Sequence, residues 1–168
     1  MARDTTCVVA YPLDGFPQSW AVWIRRNGHP AHVVPALRGL VLTYGPILVE
    51  DFLTRSAAWV EIGDKSYQCI PSNDNTDRAD PWISLDQPNT STAEFLYLVA
   101  RDPREIRPDR IEVYRDADAT GLRRSYPDAD HTTLAWRLAA RFRFDTELDQ
   151  RMLEGLESAR YPILTEPT

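Results

Sequence analysis

The sequence predicts an α+β fold: a mainly antiparallel sheet with two short helices after the first hairpin and a C-terminal helix. Three observations carry this. Apolar runs of strand length, bounded by Gly, Pro, Asn and Asp, recur along the chain. Helical spacing of apolar residues shows after Pro35 and again after Thr146. The resulting order, ββ–αα–ββ–β–β–β–α, is neither a run of βαβ units nor pure β.

Taken in order, Thr5–Tyr11 reads as a strand. Trp20–Arg26 reads as a second, closed by Asn27-Gly28. Both turn residues tolerate positive φ, so a type I′ hairpin is expected, with His29–Val34 as the return strand. Pro35 suits the first turn of a helix, where its missing N–H costs nothing. Leu37, Leu40, Val41 and Tyr44 follow at helical spacing, and Gly45-Pro46 supplies the stop. Pro46–Arg55 reads as a second short helix. Ala57–Ile62 and Ser66–Ile70 form a hairpin across Gly63-Asp64-Lys65. The acidic, turn-rich stretch Pro71–Pro81 is a loop, and Trp82–Leu85 a short strand.

Glu94–Ala100 carries two signals. Ser91 and Glu94 make a capping box, but Phe95–Val99 has strand propensity, and a strand is the reading adopted. Arg110–Arg115 is a strand and Asp116–Asp130 a loop. Thr133–Phe144 alternates strictly, with Leu134, Trp136, Leu138, Ala140, Phe142 and Phe144 on one parity. Thr133, Ala135, Arg137, Ala139, Arg141 and Arg143 fall on the other, which predicts a strand with one buried and one polar face. Thr146–Arg160 is the closing helix.

The chain of 168 residues reads as one domain, 1–168, large enough to bury roughly 70% of its unfolded surface. The net charge of −6 disfavours a general nucleic-acid binder. Only residues 101–143 are locally basic, with ten arginines against eight acids. Met1–Thr6 lacks the apolar core of a signal peptide, and no stretch approaches the ~18 apolar residues of a membrane span. A cytoplasmic protein is the expectation, with Cys7 and Cys69 as reduced, buried thiols; a single disulfide is the alternative.

Eighteen of the nineteen basic residues are arginine, and the only lysine, Lys65, sits in a turn. Phosphate-loop NTPases and Schiff-base enzymes need a placed lysine. Histidine and cysteine are scarce, and no Gly-x-Ser-x-Gly, His-Glu-x-x-His, paired Cys-x-x-Cys or Gly-rich phosphate loop occurs.

Four constellations remain. Arg137, Arg141 and Arg143 share a parity, with small Ala135 and Ala139 between, which suits an anion or nucleotide laid on the sheet. The competing reading is a solvated face that pairs with acids on neighbouring strands, such as Glu112. Asp116, Asp118, Thr120 and Gly121 fill the early positions of a calcium loop, but Pro127 stands where the bidentate glutamate belongs. The same residues resemble the Asp-x-Asp-x-Thr motif of the haloacid-dehalogenase superfamily, which needs a downstream lysine that this chain lacks. No cofactor is therefore expected, with a divalent cation at Asp116, Asp118 and Thr120 as the lesser reading. Acidic clusters at Asp74, Asp77 and Asp80 and at Asp128 and Asp130 beside His131, and the pair His29 and His32, lack a complete ligand set. Finally, Trp23 opposes the parity of Trp20, Val22 and Ile24, next to Arg25, and Trp59 opposes Ala58, Val60 and Ile62. Outward Trp beside Arg is the pair most enriched at protein interfaces; a sheet covered on both faces would bury both indoles instead.

The stretch Asn27-Gly-His-Pro followed by Leu37 resembles an Asp-Gly-Tyr-Pro-type motif of small uncharacterised bacterial and phage proteins, and Glu94-Phe-Leu-Tyr97 resembles a later Glu-Tyr-Leu-Tyr run in them. Gly28, Pro30 and Leu37 match, whereas Asn27, His29 and Val34 depart from the pattern. The resemblance implies a setting in bacteria or mobile elements and no particular activity. The functional expectation is a non-enzymatic binding protein working through a protein partner or a homo-oligomer. One alternative is an enzyme or sensor that holds a phosphorylated small molecule on the arginine strand. The other is a structural subunit of a phage or injection particle.

Overall fold

In a computed structural model, the described residues are 6–12, 19–24, 26–45, 58–62, 69–71, 82–83, 93–102, 104–105, 107–116 and 136–158. They form eight strands and two helices. The order is β1 (Cys7–Pro12), β2 (Ser19–Ile24), α1 (Pro30–Tyr44), β3 (Ala58–Ile62), β4 (Cys69–Pro71), β5 (Trp82–Ile83), β6 (Phe95–Ala100), β7 (Arg110–Asp116), β8 (Trp136–Arg143) and α2 (Gln150–Ser158).

The strands join one sheet in the order β4-β3-β2-β1-β6-β7-β8, with β5 also pairing with β2. The α+β class stands, but the sheet is mixed rather than mainly antiparallel. β1 runs parallel to β6, and β2 parallel to β3. The antiparallel ladders are β1–β2, β2–β5, β3–β4, β6–β7 and β7–β8. β1 takes one edge of β2 along its full length. On the other edge β3 pairs with Trp23 and Ile24, and β5 with Ser19 and Trp20.

The departure begins at Asn27. Its φ of 53° is the left-handed turn geometry anticipated there, yet the turn leads into a helix and not into a return strand. The expected strand His29–Val34 is the beginning of α1. His29 stands before it in extended conformation, with its carbonyl accepting from the N–H groups of His32 (3.0 Å) and Val33 (2.9 Å). Pro30 occupies the first helical position, where no N–H is needed. The helix presents Val33, Val34, Leu37, Leu40 and Val41 to the core, a 3–4 spacing that no strand could bury on one face. Pro35 lies inside it and withdraws the N–H that would otherwise bond to Ala31. β2, α1 and β3 thus form a βαβ unit, which explains why β2 and β3 are parallel. The second short helix expected over Pro46–Arg55 lies outside the described residues.

Tyr97 locks this turn in place. Its buried hydroxyl donates to the Gly28 carbonyl at 2.6 Å, tying the entry of α1 to β6. Both helices cover one face. Cys7, Val9, Val22, Ile24, Phe95, Tyr97, Val99, Ile111, Val113 and Phe142 meet α1 and the α2 residues Leu153 and Leu156 there. Leu153 begins one turn after Asp149, which caps α2. The Asp149 carboxylate accepts from the N–H groups of Arg151 (3.0 Å) and Met152 (3.2 Å), so the helix starts later than the Thr146 expected from the apolar pattern. Cys7 is a free thiol in this core. Among the described residues no helix is long and apolar enough to cross a membrane.

Two glycines should respond in opposite directions. Gly45 ends α1 at φ 79° and ψ 161°, its N–H donating to Val41 O at 2.9 Å. A side chain there meets no atom within 4 Å, so the cost of Gly45→Ala is conformational, about 1–3 kcal/mol. Gly155 sits inside α2 with the same open space around it. Gly155→Ala should stabilise by about 0.5–1 kcal/mol. Thermal melts of the two variants should move apart, Gly45→Ala downwards and Gly155→Ala upwards.

Candidate functional site

The face of the sheet opposite the helices carries the side chains with unexplained chemistry. Cross-strand register aligns them in rows. One row runs Trp23, Val8, Leu96, Tyr114, Leu138 over β2, β1, β6, β7 and β8. The next runs Ala21, Ala10, Leu98, Glu112, Arg141 over the same strands. Val8, Ala10, Ala21, Leu96 and Trp136 are buried in this second cluster, and Trp23, Leu98 and Tyr114 pack half-buried against it. The expected parity of β2 is therefore what the structure has: Val22 and Ile24 face the helices, and Trp23 faces away. The indole N–H of Trp136, buried in the same cluster, meets no acceptor among the described residues.

Glu112 is the centre of the polar part of this face. Its side chain is only 7% exposed, and its two oxygens accept three bonds. Arg110 Nη2 donates to Oε1 at 3.1 Å, while Arg141 Nε and the Tyr114 hydroxyl each donate to Oε2 at 3.2 Å. Arg110 also reaches Asp109 with Nη1 at 2.9 Å. A dry carboxylate costs several kcal/mol in lost hydration; two cations and a hydroxyl on one anion offset that cost. Burial, and then the Glu112 charge, push the Tyr114 hydroxyl well above the usual tyrosine range. Arg143 is different in kind. It binds Asp145 through Nε (2.9 Å) and Nη2 (3.1 Å), both side chains more than half exposed.

The three arginines expected on one face are not in one phase. A β-bulge intervenes: Val113 pairs with Ala140, but the next residue, Tyr114, pairs with Leu138. Ala139 is the extra residue, and Ala139 and Ala140 both pack on the helix side. Arg141 and Arg143 are in register with Glu112 and Arg110. Arg137 is in register with Arg115, on the helix-covered row Ile24, Cys7, Phe95, Arg115. Strict alternation in the sequence therefore conceals a change of face.

Arg115 itself belongs to that row. Its guanidinium lies 5.5 Å from the centre of the Phe95 ring, and Nη1 donates to the Leu156 carbonyl at 3.4 Å, near the C-terminal end of α2. Burial lowers its pKa, opposed by the Glu94 charge. The sequence reading passed over Glu112, Tyr114 and Arg110 as centres of a network, though their i, i+2 spacing on one strand was the signal for it.

Trp59 is in register with Ile24, a helix-side residue, and is thus out of phase with Trp23, which pairs with Ala58. Arg25 lies outside the described residues. Asp116 closes β7 opposite Trp136, while Asp118 and Thr120 lie outside the described residues, as do the acidic clusters at 74–80 and 128–131. Among the described residues no group of three or more His, Cys, Asp and Glu side chains is placed to hold a metal. His29 and His32 belong to the start of α1, where the His29 ring meets Phe95 edge-on at 6.4 Å. The Cys7 thiol is fully buried, and burial pushes its pKa far up, which keeps it protonated and inert as a nucleophile. Comparison with known proteins finds no matching family model, no matching curated relative and no matching solved structure.

Removing the Glu112 carboxylate should be costly out of proportion to its size. Glu112→Ala leaves Arg110 and Arg141 facing each other, and a loss of about 3–5 kcal/mol in urea unfolding is expected; a loss below about 1 kcal/mol would show that the network is solvated. A pH dependence follows as well. Cys7 and Tyr114 keep protons in the fold that the unfolded chain releases near about 8.5 and about 10. Their contribution is fully present below those values and is lost as pH rises through them. The urea midpoint should thus fall from about pH 8.5 upward. Cys7→Ala should flatten the first part of that fall, and Tyr114→Phe the part above about pH 10.

Proposed function

We propose that this protein is a non-enzymatic binding protein that acts through protein contacts, on the sheet face opposite its helices. The observation that carries the reading is the charge balance of that face. Glu112 is matched by Arg110 and Arg141, Asp109 adds a second anion, and Asp145 neutralises Arg143. A phosphate site needs a surplus of positive charge. A protein interface needs aromatic and apolar residues beside hydrogen-bonded, compensated charges. Trp23, Leu98, Tyr114 and Leu138 border the ionic corner and supply the first requirement.

The phosphorylated-ligand alternative is weakened by the separation of Arg137 from Arg141 and by the carboxylates already held by Arg141 and Arg143. A cytoplasmic, bacterial or phage setting, and the further alternative of a particle subunit, rest on the sequence reading alone.

A native mass spectrum of the full chain tests the proposal. A defined oligomer or a stoichiometric protein complex is expected. Trp23→Ala should weaken it by roughly 30-fold or more if Trp23 is a hot spot, with circular dichroism as the control for folding. A monomer that carries a bound anion, with assembly absent, would overturn the reading in favour of a small-ligand protein.

A further inference from the structure

We infer that Arg141 is the recognition residue of this face, and that its ligand is a carboxylate side chain on an acidic, apolar-flanked segment of a partner protein. The inference rests on the protein-contact reading above and gives it a chemical identity.

The argument starts from how each guanidinium of this face is used. Arg110 spends both terminal nitrogens internally, Nη1 on Asp109 and Nη2 on Glu112. Arg143 spends Nε and Nη2 on Asp145. Arg141 gives only Nε to Glu112, and among the described residues its Nη1 and Nη2 have no partner. Its side chain is 34% exposed, against 7% for the carboxylate that holds it. The bond from Nε to a buried carboxylate restricts the guanidinium and leaves its two terminal nitrogens for a ligand; such a pair of terminal N–H groups can receive a carboxylate bidentately. Fixing the fork beforehand removes part of the entropy cost of binding.

The surroundings narrow the ligand. Asp109, Arg110, Glu112 and Arg141 comprise two cations and two anions, so the local charge is balanced. A phosphate dianion finds no surplus there, whereas a single carboxylate can use the fork of one arginine. Leu98 precedes Glu112 and Arg141 in the same cross-strand row, and Tyr114 and Leu138 form the adjacent one. All three are half-buried, so a bound segment can cover them with apolar side chains on either side of its acid.

The test uses the isotopically labelled full chain and three probes: a short soluble peptide alternating glutamate with leucine, the same peptide with glutamine for glutamate, and inorganic pyrophosphate. The glutamate peptide should shift the Arg141 side-chain resonances and the Leu98 and Leu138 methyl resonances saturably, and the effect should weaken with salt. The glutamine peptide should bind about tenfold or more weakly. Arg141→Gln should show the same loss, Arg143→Gln should stay within about twofold, and Arg141→Lys, which keeps the charge but not the fork, should fall between. Retained melting temperature in Arg141→Lys guards against misfolding as the cause. Equal binding of the two peptides, tighter binding of pyrophosphate, indifference to Arg141→Gln, or no saturable shift with the glutamate peptide would each overturn the inference. If the peptide fails while Trp23→Ala still disrupts assembly, the role of Arg141 falls and the protein-contact reading stands. Failure of both would remove the reading itself.

Discussion

β1 has no solvent-facing side, and the rest of the described structure answers to that constraint. Cys7 and Val9 on one face and Val8 and Ala10 on the other are all at most 1% exposed. A strand buried on both faces needs neighbours on both edges and cover above and below. Its edges are taken by β2 and β6, and the parallel ladder to β6 brings the later half of the chain against the first strand. Cover on one side comes from α1 and α2 through Val33, Leu37, Leu40, Leu153 and Leu156. On the other side Val8 is buried in a cluster with Leu96 and Trp136, flanked by the half-buried Trp23 and Tyr114. At roughly 25 cal/mol per Å² of apolar surface, such double burial is a large favourable contribution, and β6 shares it through Phe95, Leu96, Tyr97 and Val99.

Much of this was legible in the residues. The strands at β3, β4, β6, β7 and β8 lie where apolar spacing and turn residues put them, and a closing helix follows as expected, beginning at Gln150 rather than Thr146. The unbroken run Cys7-Val-Val-Ala-Tyr11 has no polar side, as a strand buried on both faces requires. What misled was a strong local signal. Asn27-Gly28 has the right conformation for a hairpin, and it does turn the chain, but Pro30 one residue past His29 makes the continuation helical. A dipeptide sets the direction of a turn; the spacing of Val33, Val34 and Leu37 beyond it decides what the chain becomes. Pairing of β1 with β6, far apart in sequence, leaves no local trace at all.

The candidate surface was legible only in its ingredients. Trp23 could be assigned to the face away from Val22 and Ile24 because two-residue periodicity is local. The arginines could not be placed, because their phase depends on one unpaired residue opposite Val113 and Tyr114, which is a property of two strands together. Glu112 was in view only as a pairing partner for arginine. Its position at the meeting point of Arg110, Tyr114 and Arg141 converts three ordinary surface residues into a rigid corner, because each donor is held by the same dry carboxylate. That corner, and the half-buried aromatic row beside it, distinguish this face from a merely solvated one.

The bulge in β8 has a further consequence for how the strand tolerates change. Trp136 and Leu138 belong to one side of the sheet, Ala140 and Phe142 to the other, although all four are even-numbered. The strand is thus a splice of two half-strands that serve different cores, joined at Ala139. Deleting that single alanine would leave Ala140 opposite Val113 and Leu138 opposite Tyr114 in regular alternation, so both halves would keep their partners and their sides. The bulge absorbs one residue of length, and the side that each half-strand presents follows from its pairing with β7 rather than from odd or even position in the sequence.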